Sequence, residues 1–263
     1  MISKEIFTYN QYKEKLRGQV DTPDIQKNKY PAIILTHGFG TNRHEKSMFD
    51  DISPALTEKG FIIYRFDFSG LGKSEGDYSK TTIAKLTDDL FSIIKFVKSQ
   101  TQVNTKKIGI LAMSFGTLPS IILNSPNIQS YIFLSSAAHN TYKTLSALFI
   151  DYKFNPNGLS YRISSEGERI ELGPQIWQDL QKQDIPKLVT FIRKPILVIH
   201  GEKDKNIPPS YAKKLYELVN KPKKIIIIKD ADHGFTSPQK RLEMIQHAID
   251  WFKKTLASKN NLI

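Results

Sequence analysis

The stretch Ala112-Met-Ser-Phe-Gly116 sets a hydroxyl between small side chains, directly after the apolar run that starts at Lys107. A strand ending in so tight a turn presents its serine at the carboxyl edge of a sheet, and Ala112 and Gly116 are small enough to let the turn close. A serine hydroxyl is a weak nucleophile at neutral pH and needs a base to take its proton. Of the six histidines, His233 in Asp230-Ala-Asp-His-Gly-Phe235 is best placed for this, just past the last apolar run. His200 falls within or at the end of the preceding run, and His44, His139 and His247 have no comparable placement. The imidazole in turn needs a carboxylate that orients it and stabilises its charged form. Asp204 follows the run 195–201; Glu202 is its main rival, while Asp230 and Asp232 precede the histidine too closely. The chain order Ser114, Asp204, His233 suits attack on a carbonyl carbon through a covalent intermediate.

Such an attack puts negative charge on the carbonyl oxygen, so two backbone N–H donors must already point there. The amide of Phe115, next to the nucleophile, is one candidate. The segment His37-Gly-Phe-Gly40 carries little bulk, and the Phe39 amide is the second. His37 then reads as a loop-packing histidine. Another glycine-rich stretch, Asp67-Phe-Ser-Gly-Leu-Gly-Lys-Ser-Glu-Gly76, contains GKS but has Asp67 where a phosphate loop needs its first glycine. A tight turn in which Asp67 accepts backbone hydrogen bonds is the expectation there.

These residues need a frame that brings them to one edge. Continuous apolar, β-branched runs at 31–37, 61–68, 107–114, 128–136, 195–201 and 224–230 suit strands covered on both faces, hence a parallel sheet. Crossover helices are expected at about 46–59, 81–100, 115–124, 210–220 and 238–259. In the second, Ile83, Leu86, Leu90, Ile93, Ile94 and Val97 make one apolar stripe, with Thr81 or Thr82 as N-cap. The alternation predicts a doubly wound, mostly parallel α/β domain spanning 1–263. Between about 138 and 193 the regularity breaks, and a connection this long is expected to be a substrate-covering cap. Its Tyr142, Phe149, Tyr152, Phe154, Tyr161 and Trp177 suit either an apolar pocket or the cap's own core.

The absence of cysteine excludes disulfides and thiolate chemistry. The formal charge of +12 would attract phosphates if it were clustered, but the lysines are scattered, so a solvated basic surface is expected and no nucleic-acid partner. No apolar run reaches membrane-spanning length and the first residues lack a secretory pattern, so the expectations are a cytoplasmic protein and no stable membrane insertion.

Taken together, "HGFG", "DFSGLGKSEG", "AMSFG", "HGEKD" and "DHGF" resemble the α/β-hydrolase superfamily over residues 25–257. Within it the chain is similar to bacterial cytoplasmic serine esterases of the cinnamoyl and feruloyl esterase-like group, with monoacylglycerol lipases and serine aminopeptidase-like hydrolases as neighbours. The usual G-x-S-x-G has alanine at position 112. The resemblance implies Ser114 as nucleophile, His233 as base, Asp204 as acid and the Phe39 and Phe115 amides as oxyanion hole, with a cap after the sixth strand. It implies a small-molecule ester substrate and no cofactor or metal. Thioesterase or peptidase activity with the same residues is the alternative, with Glu166, Glu168 or Glu171 as an amine anchor; a non-catalytic binding scaffold is the remote one. A homodimer stays open.

Overall fold

A computed structural model describes residues 1–25, 27–164 and 166–257. Its centre is an eight-stranded sheet in which six strands run parallel: β3 (Tyr30–Thr36), β4 (Ile62–Phe66), β5 (Val103–Met113), β6 (Ser130–Leu134), β9 (Ile196–Gly201) and β10 (Lys223–Ile228). All six correspond to the apolar runs of the sequence. Strands β3, β4, β6 and β9 are buried almost throughout, because helices cover both faces of the sheet.

Helices α1 (Met48–Glu58) and α8 (Pro238–Phe252) pack on one face, where Phe49, Ile52, Leu56, Met244, Ala248 and Phe252 join one apolar cluster. Helices α2 (Ile83–Ser99), α3 (Thr117–Leu123) and α7 (Pro209–Leu218) occupy the other face. The stripe of α2 is buried as expected, and Thr82 caps it by accepting the Lys85 N–H at 3.0 Å. Ser258 and Lys259, the last residues of the final expected helix, lie outside the described residues.

Two strands add to the expected set. β1 (Ile2–Tyr9) and β2 (Lys15–Thr22) form a hairpin whose second strand pairs antiparallel with β4. The sheet order is β1-β2-β4-β3-β5-β6-β9-β10. β1 is exposed along most of its length, so backbone pairing holds it without an apolar alternation. Chain direction through the sheet changes between β3 and β5: the helix after β3 goes to one face and the one after β5 to the other, which opens a crevice at their carboxyl ends.

Between β6 and β9 the chain leaves the sheet. This segment holds α4 (Thr141–Ala147), a hairpin of β7 (Ser160–Ile163) and β8 (Arg169–Leu172), α5 (Pro174–Lys182) and α6 (Ile185–Val189). Trp177, 1% exposed, is its hub, with Phe154, Phe149 and Tyr142 packed edge-on around the indole at 4.9, 5.5 and 5.8 Å. These aromatics therefore form the insert's own core.

Candidate active site

Ser114 follows β5 directly, with φ of 51°, in the left-handed region a serine adopts only when its surroundings enforce it. The enforcement is visible. Its carbonyl accepts from Thr117 Oγ1 at 2.7 Å and from the Ala137 N–H at 3.3 Å. Two residues on, a Cβ at Gly116 would lie 2.3 Å from the His37 carbonyl oxygen and 2.7 Å from that of Thr36, so only glycine fits against β3. Ala112 is fully buried between Thr36 and Phe133 on the neighbouring strands.

His233 lies on the loop after β10, where its carbonyl accepts from Ser135 Oγ at 2.9 Å. Its Nε2 stands 3.1 Å from Ser114 Oγ and its Nδ1 2.7 Å from Asp204 Oδ2. The carboxylate of Asp204 is closed off from solvent. Oδ1 accepts the Asn206 and Ile207 N–H groups at 2.9 and 2.8 Å, while Oδ2 also lies 3.0 Å from His200 Nε2, which is shared with the Ile207 carbonyl oxygen at 2.9 Å. Burial alone would push the Asp204 pKa up, but the hydrogen bonds from His200 and His233, the His233 charge and the Ile207 N–H outweigh it. The group is held well below the usual carboxylate range.

The serine and histidine open onto a cavity of about 730 Å³. Gly38, Phe39 and Phe115 line it from the sheet edge, and Thr141, Thr144, Leu145, Leu148 and Arg162 from the insert. Gly38 approaches closely enough that a Cβ there would contact Ser114 Cβ at 3.4 Å. Among the described residues, the Phe39 N–H has no hydrogen-bond partner. No group of three or more His, Asp or Glu side chains that could hold a metal occurs among them, and no helix is long and apolar enough to cross a membrane.

A sequence model of the prolyl oligopeptidase family matches residues 47–259. The chain belongs to the prolyl oligopeptidase family. Among curated relatives it is 28% identical over 206 residues to the uncharacterized protein YfhR of Escherichia coli O157:H7, a match covering 78% of this chain and 64% of YfhR. It is 24% identical over 202 residues to human ABHD12B, covering 72% of this chain and 49% of that protein. The chain thus spans somewhat under two thirds of the length of YfhR. Among solved structures, Est1E from Butyrivibrio proteoclasticus with ferulic acid bound superposes with a TM-score of 0.84 at 21% identity, covering 96% of this chain and all of Est1E. The Pyrococcus furiosus esterase Pf2001 gives 0.73 at 20% identity, over 97% and 93% of the two chains. The fold is the α/β-hydrolase fold.

In this prolyl oligopeptidase-family chain, Ser114, His233 and Asp204 lie together as the sequence suggested, and the rival acids lie elsewhere. Glu202 is exposed and accepts the Asp230 N–H at 3.1 Å; Asp230 pairs with Lys203 at 2.7 Å; Asp232 accepts the Thr236 N–H at 2.8 Å. His37 is buried, and its Nε2 accepts the Phe68 N–H at 3.1 Å, so it packs the loop. Asp67 accepts from the Arg43 and Lys73 N–H groups at 2.7 and 2.9 Å, the turn role expected of it.

Two functional neighbours escaped sequence reasoning in this family member. Glu45, 7% exposed, accepts the Gly38 N–H and the Thr41 hydroxyl, tying down the loop that carries Phe39. His200, fully buried, supplies Asp204 with its second imidazole. The His-Gly pair before Asp204 was a usable signal for His200. Glu45 had none, since its left-handed φ of 43° and its turn toward Gly38 arise only in the folded loop.

Proposed function

We propose that this protein is a serine hydrolase of carboxylic esters, working through an acyl-enzyme. The observation that carries the reading is the unbroken chain Asp204 Oδ2, His233, Ser114 Oγ, with contacts of 2.7 and 3.1 Å, opening on a cavity. His233 takes the Ser114 proton as Oγ bonds to the carbonyl carbon, and returns it to the leaving alkoxide as the tetrahedral intermediate collapses. Water then repeats the cycle, and the carboxylic acid leaves. Asp204, kept ionised at every physiological pH, stabilises the imidazolium formed in each half. The Phe39 and Phe115 amides face the charge that develops on the carbonyl oxygen; the loop carrying the first is fixed by Glu45. The insert lies over this cavity as its cap, so its cavity-facing side chains would select substrates.

Peptide hydrolysis, the alternative that the family name invites, needs an acidic anchor for a free amine. The glutamates expected for it, Glu166, Glu168 and Glu171, line a second cavity beyond Phe39 rather than the one holding Ser114, and Glu171 is paired with Arg169 at 2.7 Å. Ester cleavage is favoured accordingly.

A fluorophosphonate probe is expected to label the wild-type protein on Ser114, and p-nitrophenyl acetate to be turned over. Ser114→Ala should remove labelling and leave only the residual acceleration of binding and charge stabilisation, a loss of about 10³-fold or more in kcat. Wild-type protein that folds yet takes no label would end the reading, and faster hydrolysis of peptide anilides than of matched esters would replace it with the peptidase.

A further inference from the structure

Arg162 is the side chain on the cavity wall that the ester-hydrolase chemistry leaves unexplained. It sits on β7 of the insert, half-buried, and borders both the cavity holding Ser114 and the neighbouring one. Most other charges around the nucleophile are paired, and the remaining lysines of the lining, Lys46 and Lys205, are exposed to solvent rather than half-buried. Lys203 is paired with Asp230, Arg241 with Asp51 at 2.7 Å, Glu45 with the Gly38 loop and Asp232 with Thr236. Arg162 has no carboxylate within 4.0 Å among the described residues, and its Nε is buried with no acceptor. The acidic side chains of its own hairpin do not reach it: Glu171 turns to Arg169, whose guanidinium covers the Tyr161 ring at 3.8 Å. Burial draws the Arg162 pKa down, and Tyr152 offsets this only in part.

A guanidinium stripped of some of its water and given no counter-charge destabilises the empty protein, because desolvating a charge is costly unless a partner is supplied. A backbone-anchored strand that holds it there is explained if a ligand brings the partner. The planar fork matches a carboxylate through two parallel N–H···O bonds.

We propose that Arg162 is a specificity-determining residue that binds a carboxylate on the substrate, so that the preferred esters are those of carboxylate-bearing acids or alcohols rather than neutral ones. This rests on the ester-hydrolase reading, with Ser114 acting on an ester bond while Arg162 holds the far end of the same molecule. One charge-assisted pair in a partly desolvated site corresponds to about ten- to hundredfold in affinity.

Two matched pairs of esters test this on either side of the scissile bond: p-nitrophenyl butyrate against p-nitrophenyl hydrogen succinate, and phenyl acetate against 4-carboxyphenyl acetate. For at least one pair the charged member should have kcat/KM about tenfold or more above the neutral one, mostly through KM. Arg162→Gln should erase that preference while changing the neutral esters by less than about twofold, and Arg162→Lys should restore part of it. Fluorophosphonate labelling of Arg162→Gln checks that the nucleophile and fold are intact. Equal handling of both members of both pairs by the wild type, or a preference that survives in Arg162→Gln, overturns the proposal while leaving ester hydrolysis standing. Should the wild type take no label and turn over no ester, the hydrolase reading is what fails. Thermal stabilisation by free succinate, present in the wild type and lost in Arg162→Gln, then still reads the anion site, and its absence would sink it.

Discussion

Asp204 shows how much one side chain's environment decides. Four donors converge on it, two backbone amides on Oδ1 and two imidazoles on Oδ2. An isolated aspartate on an exposed loop would orient nothing, whereas this one is buried and has a depressed pKa. Asp204→Asn keeps the shape but offers the His233 ring the wrong tautomer, so kcat is expected to fall by roughly 10⁴-fold with little change in KM. The same group contributes to stability. Since its folded-state pKa lies below the unfolded value of about 3.9, the contribution is complete above that value and is lost as pH falls below it. Urea unfolding should therefore show the wild type more stable than Asp204→Asn at neutral pH, with the gap closing below about pH 4.

At the level of elements, close backbone approach is what brings the loops into register. Gly116 presses the turn after β5 against β3. Gly201, at the end of β9, does the same for the loop bearing His233, since a Cβ there would come within 2.4 Å of the Ala231 carbonyl oxygen and 2.5 Å of that of Asp232. Gly201→Ala is expected to push that loop away from Asp204, lowering kcat at least tenfold and stability by about 1–3 kcal/mol, as overpacking does. Kinetics and a urea melt on the same sample would measure both. Thr82→Ala serves as the contrast, because its hydroxyl caps α2 far from the serine: about 1 kcal/mol of stability should go, with kcat and KM unmoved.

For the molecule as a whole, the net charge of +12 surrounds a cavity whose wall carries Arg162, which has no carboxylate partner among the described residues. Long-range attraction of an anionic ester by such a field raises the encounter rate and is screened by salt, since the Debye length shrinks from about 10 Å at 0.1 M to about 3 Å at 1 M. For p-nitrophenyl hydrogen succinate, kcat/KM should fall several-fold between 0.05 and 0.5 M NaCl, while the value for p-nitrophenyl butyrate stays level. A flat profile for both would remove any steering role from the surface charge.

Much of this protein was legible before folding was considered. Six apolar runs announced six parallel strands, because a strand covered on both faces has no polar face to offer water. The elbow around Ser114 was legible too, because a steric limit two residues to either side leaves its mark in residue size. Other features left no such mark. β1 was missed because an exposed edge strand is held by its backbone ladder rather than by an apolar pattern, and β2, paired on both sides, buries only Leu16, Gly18 and Asp21, too few apolar side chains to form a run. Among the acids near His233, residue type could only rank Asp204 above Glu202. The tertiary structure separated them by turning one carboxylate inward against two imidazoles and leaving the other at the surface. Glu45 and Arg162 follow the same logic: the tie of Glu45 to Gly38, and the lack of a carboxylate beside Arg162 among the described residues, are set by the tertiary fold. Local pattern records what a residue needs from its immediate chain, and only packing decides which charges meet partners.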